Sequence, residues 1–212
     1  MLTKTITLFA LITAFNLEAK TLFIGDSHSV GLFGKKFDRL LRSEESDIIT
    51  HTSCGAIGKW FRTGQKTSCG YFFRDENGKI ESGKTANTPI IDTTLREFKP
   101  DLVIIEMGGN YTNRSDSYSI KDIDELVNLI TENNAKCLWI GAPSSRDNIR
   151  TPRLYRLIKE GVKNRCPIFN SSEVTVYPSN PRLDGIHYWG KEGKKQAEHW
   201  AQKAFEFYQA NR

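Results

Sequence analysis

Histidine is scarce in this chain: only four of its 212 residues are histidines. An imidazole base is therefore sought among His28, His51, His187 and His199 alone. The four cysteines include no Cys-x-x-Cys pair, which removes the usual zinc and thioredoxin-like signatures. No basic run with interleaved aromatics and no nucleic-acid module is present, so the net charge of +5 is not read as a nucleic-acid footprint. No internal repeat or low-complexity segment occurs. Beyond residues 6–15 no apolar run approaches the length that spans a bilayer, so no stable membrane span is expected.

The remainder describes an ordinary globular chain with an unusual start. Its length supports a full core in one domain, and 38% hydrophobic with 26% charged residues is a common balance. Lys4, the short apolar stretch 6–15 and the small residue Ala19 read as a secretory signal peptide over residues 1–19. Residues 20–212 then form the mature domain, periplasmic or secreted. Export favours disulfides among Cys54, Cys69, Cys137 and Cys166, with three connectivities open. Local pairing, Cys54–Cys69 and Cys137–Cys166, is the simplest. The first two share a loop-rich segment, and the others each open a strand-like run. Losing Lys4 and Glu18 leaves the net charge unchanged, and a basic envelope protein suits an anionic cell-wall polymer or lipid headgroups.

Along the mature chain, Thr21-Leu22-Phe23-Ile24 is an apolar run of the buried-strand type. Residues 30–41 carry Leu32, Phe33, Phe37, Leu40 and Leu41 at helical spacing. Strand-like runs recur at 47–51, 102–106, 137–141 and 167–170, and helical patterns at 120–130, 151–163 and 193–208. This alternation implies an α/β fold: a doubly wound parallel sheet of five strands with helices on both faces. Residues 52–90 show no helical period and read as an insertion beside the active site, closed on itself by Cys54–Cys69. Within it, 70–81 reads as a hairpin with a tight turn at Asn77-Gly78.

Two short motifs carry the chemistry. Gly25-Asp26-Ser27-His28-Ser29 leaves the first strand and enters a helix. Ser27 thus lies at a strand's carboxyl end, where open α/β sheets keep their ligands, and in the field of a helix N-terminus. Asp184-Gly185-Ile186-His187 supplies a carboxylate and an imidazole three residues apart. A serine hydroxyl needs a base to take its proton, and the base needs a carboxylate to fix its tautomer. Ser27, His187 and Asp184 fill those roles. The bland alternative is that Asp26 or Ser27 merely caps a helix. His199 falls within the last helix, while His28 and His51 read as pocket-lining residues. Glu106-Met107-Gly108-Gly109-Asn110 ends the strongest strand, and Asn110 offers an amide N–H to a developing oxyanion. Ser53-Cys54-Gly55 offers the Gly55 backbone N–H for the same purpose. With the triad assigned, no clustered His/Asp/Glu set is left for a metal, and no cofactor is expected.

In chain order, Gly25-Asp26-Ser27, Gly55, Gly108-Gly109-Asn110 and Asp184-Gly185-Ile186-His187 resemble the four sequence blocks of the SGNH (GDSL-type) hydrolase superfamily. The resemblance extends over nearly all of residues 21–208. It implies a flavodoxin-like three-layer sandwich and a serine esterase with Ser27 as nucleophile, His187 as base and Asp184 as orienter. It further implies an oxyanion hole from the Ser27 N–H, the Gly55 N–H and the Asn110 side chain. His28 stands where the pattern commonly has Leu, and Tyr111 where it often has Asp; both departures bear on the substrate rather than the triad. The expected activity is removal of small acyl groups, acetyl first, from an acylated carbohydrate such as peptidoglycan. His28, Trp60, Tyr71 and Tyr111 are the expected substrate contacts, Trp60 and Tyr71 because sugars stack on aromatic faces. The insertion's Trp60, Phe61, Tyr71, Phe72 and Phe73 serve equally well as a satellite core. A lipid esterase or lysophospholipase, a thioesterase and an acyltransferase are the alternatives within the superfamily. A non-catalytic carbohydrate-binding relic is the reading from another class.

Overall fold

The computed structural model describes residues 19–212, so the expected signal peptide at 1–19 lies almost wholly outside the described residues. In chain order the elements are β1 (Thr21–Gly25), α1 (Ser27–Val30), α2 (Leu32–Leu41), β2 (Ile48–Ser53), α3 (Gly58–Thr63), β3 (Lys66–Thr67), β4 (Tyr71–Arg74) and β5 (Ile80–Gly83). There follow β6 (Ala86–Asn87), α4 (Ile91–Phe98), β7 (Leu102–Glu106), α5 (Asp116–Glu132), β8 (Lys136–Ile140), α6 (Thr151–Val162), β9 (Ile168–Phe169) and α7 (Gly190–Asn211). Among the described residues no helix is long and apolar enough to cross a membrane.

β1 and β7 are buried at every position, the signature of central parallel strands covered on both faces. The main sheet has the order β5-β4-β2-β1-β7-β8-β9. Its β2, β1, β7, β8 and β9 run parallel and are the five strands expected. The sheet nevertheless has seven strands rather than five, because β4 and β5 join antiparallel on the edge of β2. The hairpin at 70–81 is therefore part of the main sheet. Pairing Thr50 with Arg74 and Ser53 with Tyr71 satisfies the main-chain groups that β2 would otherwise expose. Its connection is also longer than a two-residue turn. Asp75 N–H donates to Lys79 O at 3.1 Å, and Gly78 adopts φ +83° inside the loop. Buried Asp38 of α2 pins the hairpin, accepting from Thr50 Oγ1 at 2.6 Å and from Arg74 Nη1 at 2.7 Å.

Strand side chains alternate between two cores. Leu22, Ile24, Val103, Ile105, Cys137 and Trp139 face α3, α4, α5 and α6. Phe23, Ile48, Ile104, Leu138 and Ile140 face α2 and α7, around Phe33, Phe37 and Trp200. The three-layer sandwich follows from that alternation. Two helices depart from the sequence expectation: α3 falls inside the stretch 52–90, and α4 directly follows it. Six and eight residues span too few turns to display a period.

Both local disulfides are present. Cys54–Cys69 ties the end of β2 to the approach to β4, and Cys137–Cys166 ties β8 to the residues leading into β9. They close loops of 15 and 29 residues. Chain-entropy arguments assign such loops about 3–4 kcal/mol each. The double variant Cys137→Ser, Cys166→Ser is expected to lose about that much unfolding free energy in urea. An unchanged urea midpoint would show that this bridge does not constrain the unfolded chain.

Candidate active site

Parallel pairing of β1 with β7 places Gly25 opposite Glu106, so both strands deliver their next residues to one spot. Gly25 is required there. A Cβ would lie 2.3 Å from Ser29 Oγ and 3.2 Å from Glu106 O. Asp26 then caps α1, accepting from the His28 N–H at 3.0 Å, and Ser27 opens that helix.

The second motif forms a compact turn. Asp184 Oδ1 accepts from the N–H groups of Ile186 and His187, both at 2.8 Å, and Oδ2 faces His187 Nδ1 at 2.6 Å. Burial pushes the Asp184 carboxyl up, but the bonds from His187 and from these two N–H groups prevail and hold it at about 2. His187 Nε2 lies 2.9 Å from Ser27 Oγ, a contact spanning 160 residues of chain. The loop is braced by groups that the sequence did not single out. The Arg146 guanidinium donates to Leu183 O, and the Arg146 backbone N–H donates to Gly185 O at 2.9 Å. Tyr177 Oη accepts from the Gly185 N–H at 2.8 Å, with Arg146 over its ring. No sequence signal marks Arg146, because it lies in an irregular segment far from either motif.

Ser27 and His187 open into a cleft of about 500 Å³ whose walls include His28, Asn110, Arg146 and Asp184. Asn110 Nδ2 donates to Ala56 O at 3.0 Å and to Asp26 Oδ2 at 3.3 Å, so both its hydrogens are engaged and the longer bond is the one to give way. Gly55 itself does not line the cleft; at φ +87° it lies under the Trp60 ring, one residue from Ala56.

The expected substrate contacts divide. His28 lines the cleft, its ring 5.3 Å from that of His187. Tyr111 is a correction: it is 1% exposed and acts as a strut, its hydroxyl donating to Asp122 at 2.8 Å and accepting from the Gly58 N–H at 3.0 Å. Trp60, on α3, packs against the core, and Tyr71 leans on Phe73 at 4.7 Å; neither lines the cleft. His51 faces a separate groove of about 670 Å³ between α4 and the hairpin, which contains none of Ser27, Asp184 or His187. His199 is exposed on α7. The aromatic beside the site is instead Trp189, 48% exposed and 5.8 Å from the His187 ring. Its place two residues after His187 was the signal available in the sequence.

Neither a family model nor a curated protein matches this sequence. Solved structures do. A GDSL-like lipase from Bacteroides thetaiotaomicron superposes with a TM-score of 0.55 at 16% identity, over 90% of this chain and 89% of that one. The chain shares the fold of GDSL-type hydrolases. A structure described as a peptidoglycan O-acetylesterase gives 0.56 at 11% identity, covering 91% of each chain. A family 3 carbohydrate esterase from Clostridium thermocellum gives 0.55 at 15% identity, over 91% of this chain and 98% of that one.

Burial holds His28 far below the ordinary imidazole range, at about 3, and the His187 ring beside it adds to that effect. The unfolded chain protonates this imidazole near the ordinary value of 6.5. Between those values the unfolded state binds the extra proton, so His28 withdraws stability as the pH falls, by about 1.4 kcal/mol per pH unit. Between roughly pH 6 and pH 4, His28→Asn is expected to lose about 2 kcal/mol less unfolding free energy than the parent chain. Urea melts at the two pH values measure this, and parallel losses would contradict it.

Proposed function

We propose that this protein is an exported serine esterase that removes small acyl groups, acetyl foremost, from a carbohydrate of the cell envelope. The observation that carries the reading is the unbroken line from Asp184 through His187 to Ser27, with contacts of 2.6 and 2.9 Å. His187 Nε2 takes the Ser27 proton as Oγ attacks the acyl carbon. The carbonyl oxygen becomes an oxyanion facing the Ser27 N–H and Asn110, with the Gly55 N–H as the proposed third donor. His187 then protonates the leaving sugar oxygen, which departs as the alcohol and leaves an acyl-enzyme. Water, deprotonated by the same imidazole, releases the acid and restores Ser27. Asp184 stays ionised throughout and stabilises the imidazolium.

Three features support the substrate class. A small recess of about 10 Å³ beside Ser27 is walled by Leu32, Phe33, Trp189 and Trp200, room for a methyl group and little more. Trp189 offers an exposed face on which a sugar ring can stack. The net charge of +5 suits an anionic polymer, and two of the structural neighbours carry names of carbohydrate or peptidoglycan esterases. Two disulfides favour export, as does the setting of Lys20. Cleavage after Ala19 would make the nitrogen of Lys20 a terminal ammonium, already 2.8 Å from Asp101 Oδ2.

Ser27→Ala and His187→Ala are expected to abolish turnover of an activated acetyl ester without unfolding the protein. Asp184→Asn should cost several orders of magnitude through the wrong imidazole tautomer. Wild-type turnover by folded Ser27→Ala protein would refute the assignment. Trp189→Ala should raise KM for acetylated peptidoglycan or xylan several-fold more than for a small acetyl ester, because the small ester loses only one wall of the acyl recess whereas the polymer also loses its stacking face. Rates should also fall from acetyl to butyryl esters. An optimum at long acyl chains, with no acetate released from any polysaccharide, would instead establish the lipid-esterase alternative.

A further inference from the structure

Beneath the nucleophile lies a pair of carboxyl groups that the triad chemistry does not use. Asp26 is 1% exposed and Glu106 is fully buried, and the Asp26 N–H donates to the Glu106 carbonyl at 3.1 Å, which brings the two carboxyl groups close enough to act on each other. Their surroundings are unequal. Asp26 collects N–H donors: His28 N at 3.0 Å, Asn110 Nδ2 at 3.3 Å and the Gly108 backbone. Glu106 Oε2 accepts from Ser29 Oγ at 2.6 Å, whereas Oε1, equally buried, has no donor among the described residues. Two ionised carboxylates side by side have no hydrogen to share, and burial in a low-dielectric surrounding strengthens the repulsion of their charges. One proton removes both difficulties. Because three N–H donors, from His28, Gly108 and Asn110, reach Asp26 and only the Asp26 backbone N–H reaches the Glu106 carboxyl, the proton belongs on Glu106.

We propose that Glu106 is the neutral acid of this pair, its Oε1–H donating to the Asp26 carboxylate, and that this bond positions the Ser27 turn and the Asn110 amide. The assignment satisfies the orphan oxygen and leaves Asp26 as the single negative charge capping α1. It also occupies part of the accepting capacity of Asp26, which keeps the Asn110 bond the weak one that a substrate oxyanion takes over. Glu106 is thus a positioning residue. Ser29 and the His28 backbone face the pair from α1, Gly108 and Asn110 from the end of β7, Tyr155 from α6 and His187 from the catalytic loop. Burial and the neighbouring Asp26 charge both push Glu106 well above the usual carboxylate range. Burial raises Asp26 to about 6 against the pull of its donors. Both directions agree with a proton on Glu106.

The kinetic consequence rests on the esterase reading; the proton's location does not. Two variants separate a neutral donor from a functional charge. Glu106→Gln keeps an N–H donor toward Asp26 and should retain kcat on a small acetyl ester within about threefold. Glu106→Leu removes the donor and should lower kcat on the order of tenfold or more, with KM within about twofold. Carbon-13 NMR of wild-type protein labelled at the glutamate carboxyls should show one carboxyl at the protonated shift from roughly pH 5 to 8, absent in Glu106→Gln. A wild-type spectrum with every glutamate ionised at neutral pH would overturn the proposal. So would Glu106→Gln as defective as Glu106→Leu in folded protein. If the wild-type chain hydrolyses no ester, the esterase reading fails, while the labelled spectrum still decides where the proton resides.

Discussion

The site depends on β1 and β7 lying side by side in parallel, with nothing between their ends. In-register pairing brings Gly25 opposite Glu106, and from there the two chains diverge into the Asp26-Ser27 turn and the Gly108-Gly109-Asn110 turn. A side chain at position 25 would collide with Ser29 and the Glu106 carbonyl, so the absence of one atom group lets α1 begin immediately at the strand end. Everything that presents Ser27 is built on that contact: the cap from Asp26, the buried Glu106 carboxyl beneath it, and the Asn110 amide tied to the Ala56 carbonyl.

The Asp184–His187 pair is organised locally and delivered to Ser27 from afar. Asp184 and His187 orient each other within a single turn through three hydrogen bonds. Nothing in that turn directs His187 toward Ser27. Arg146 and Tyr177 do so by holding the carbonyl and amide groups of 183–185, and Tyr188 helps from the far side by donating to Ser144 O at 2.6 Å. Exposed loop carboxylates are poor anchors in water. Here Arg146 and Tyr177 grip main-chain carbonyl and amide groups of the loop rather than its exposed carboxylates.

The hairpin illustrates how context alters an element whose existence is plain. Its residue pattern predicts two strands around Asn77-Gly78, and two strands form. Their partner was not predictable from the pattern, because alternation says which face is apolar and not which edge accepts the strand. Buried Asp38, reached by Arg74 and Thr50 together, joins that edge to α2, and the hairpin's aromatic residues become packing for the widened sheet. Trp60 and Tyr71 look like sugar platforms in the sequence and are packing in the fold, because an aromatic's identity does not disclose its exposure.

The sequence by itself determined the alternation of five buried parallel strands with amphipathic helices and the short motifs holding Ser27 and the Asp184–His187 turn, and it made local cysteine pairing the simplest of three connectivities. Those features rest on interactions between residues close in the chain or on simple periodicity, and such signals survive without coordinates. Tertiary structure alone decided the seven-strand sheet, the brace from Arg146, the exposure of Trp189 beside the cleft and the meeting of Asp26 with Glu106. Each of these joins residues far apart in the chain, or depends on which side of a packed surface water reaches. Neither propensity nor spacing encodes burial at that distance. Only the completed packing of both cores against the sheet sets it.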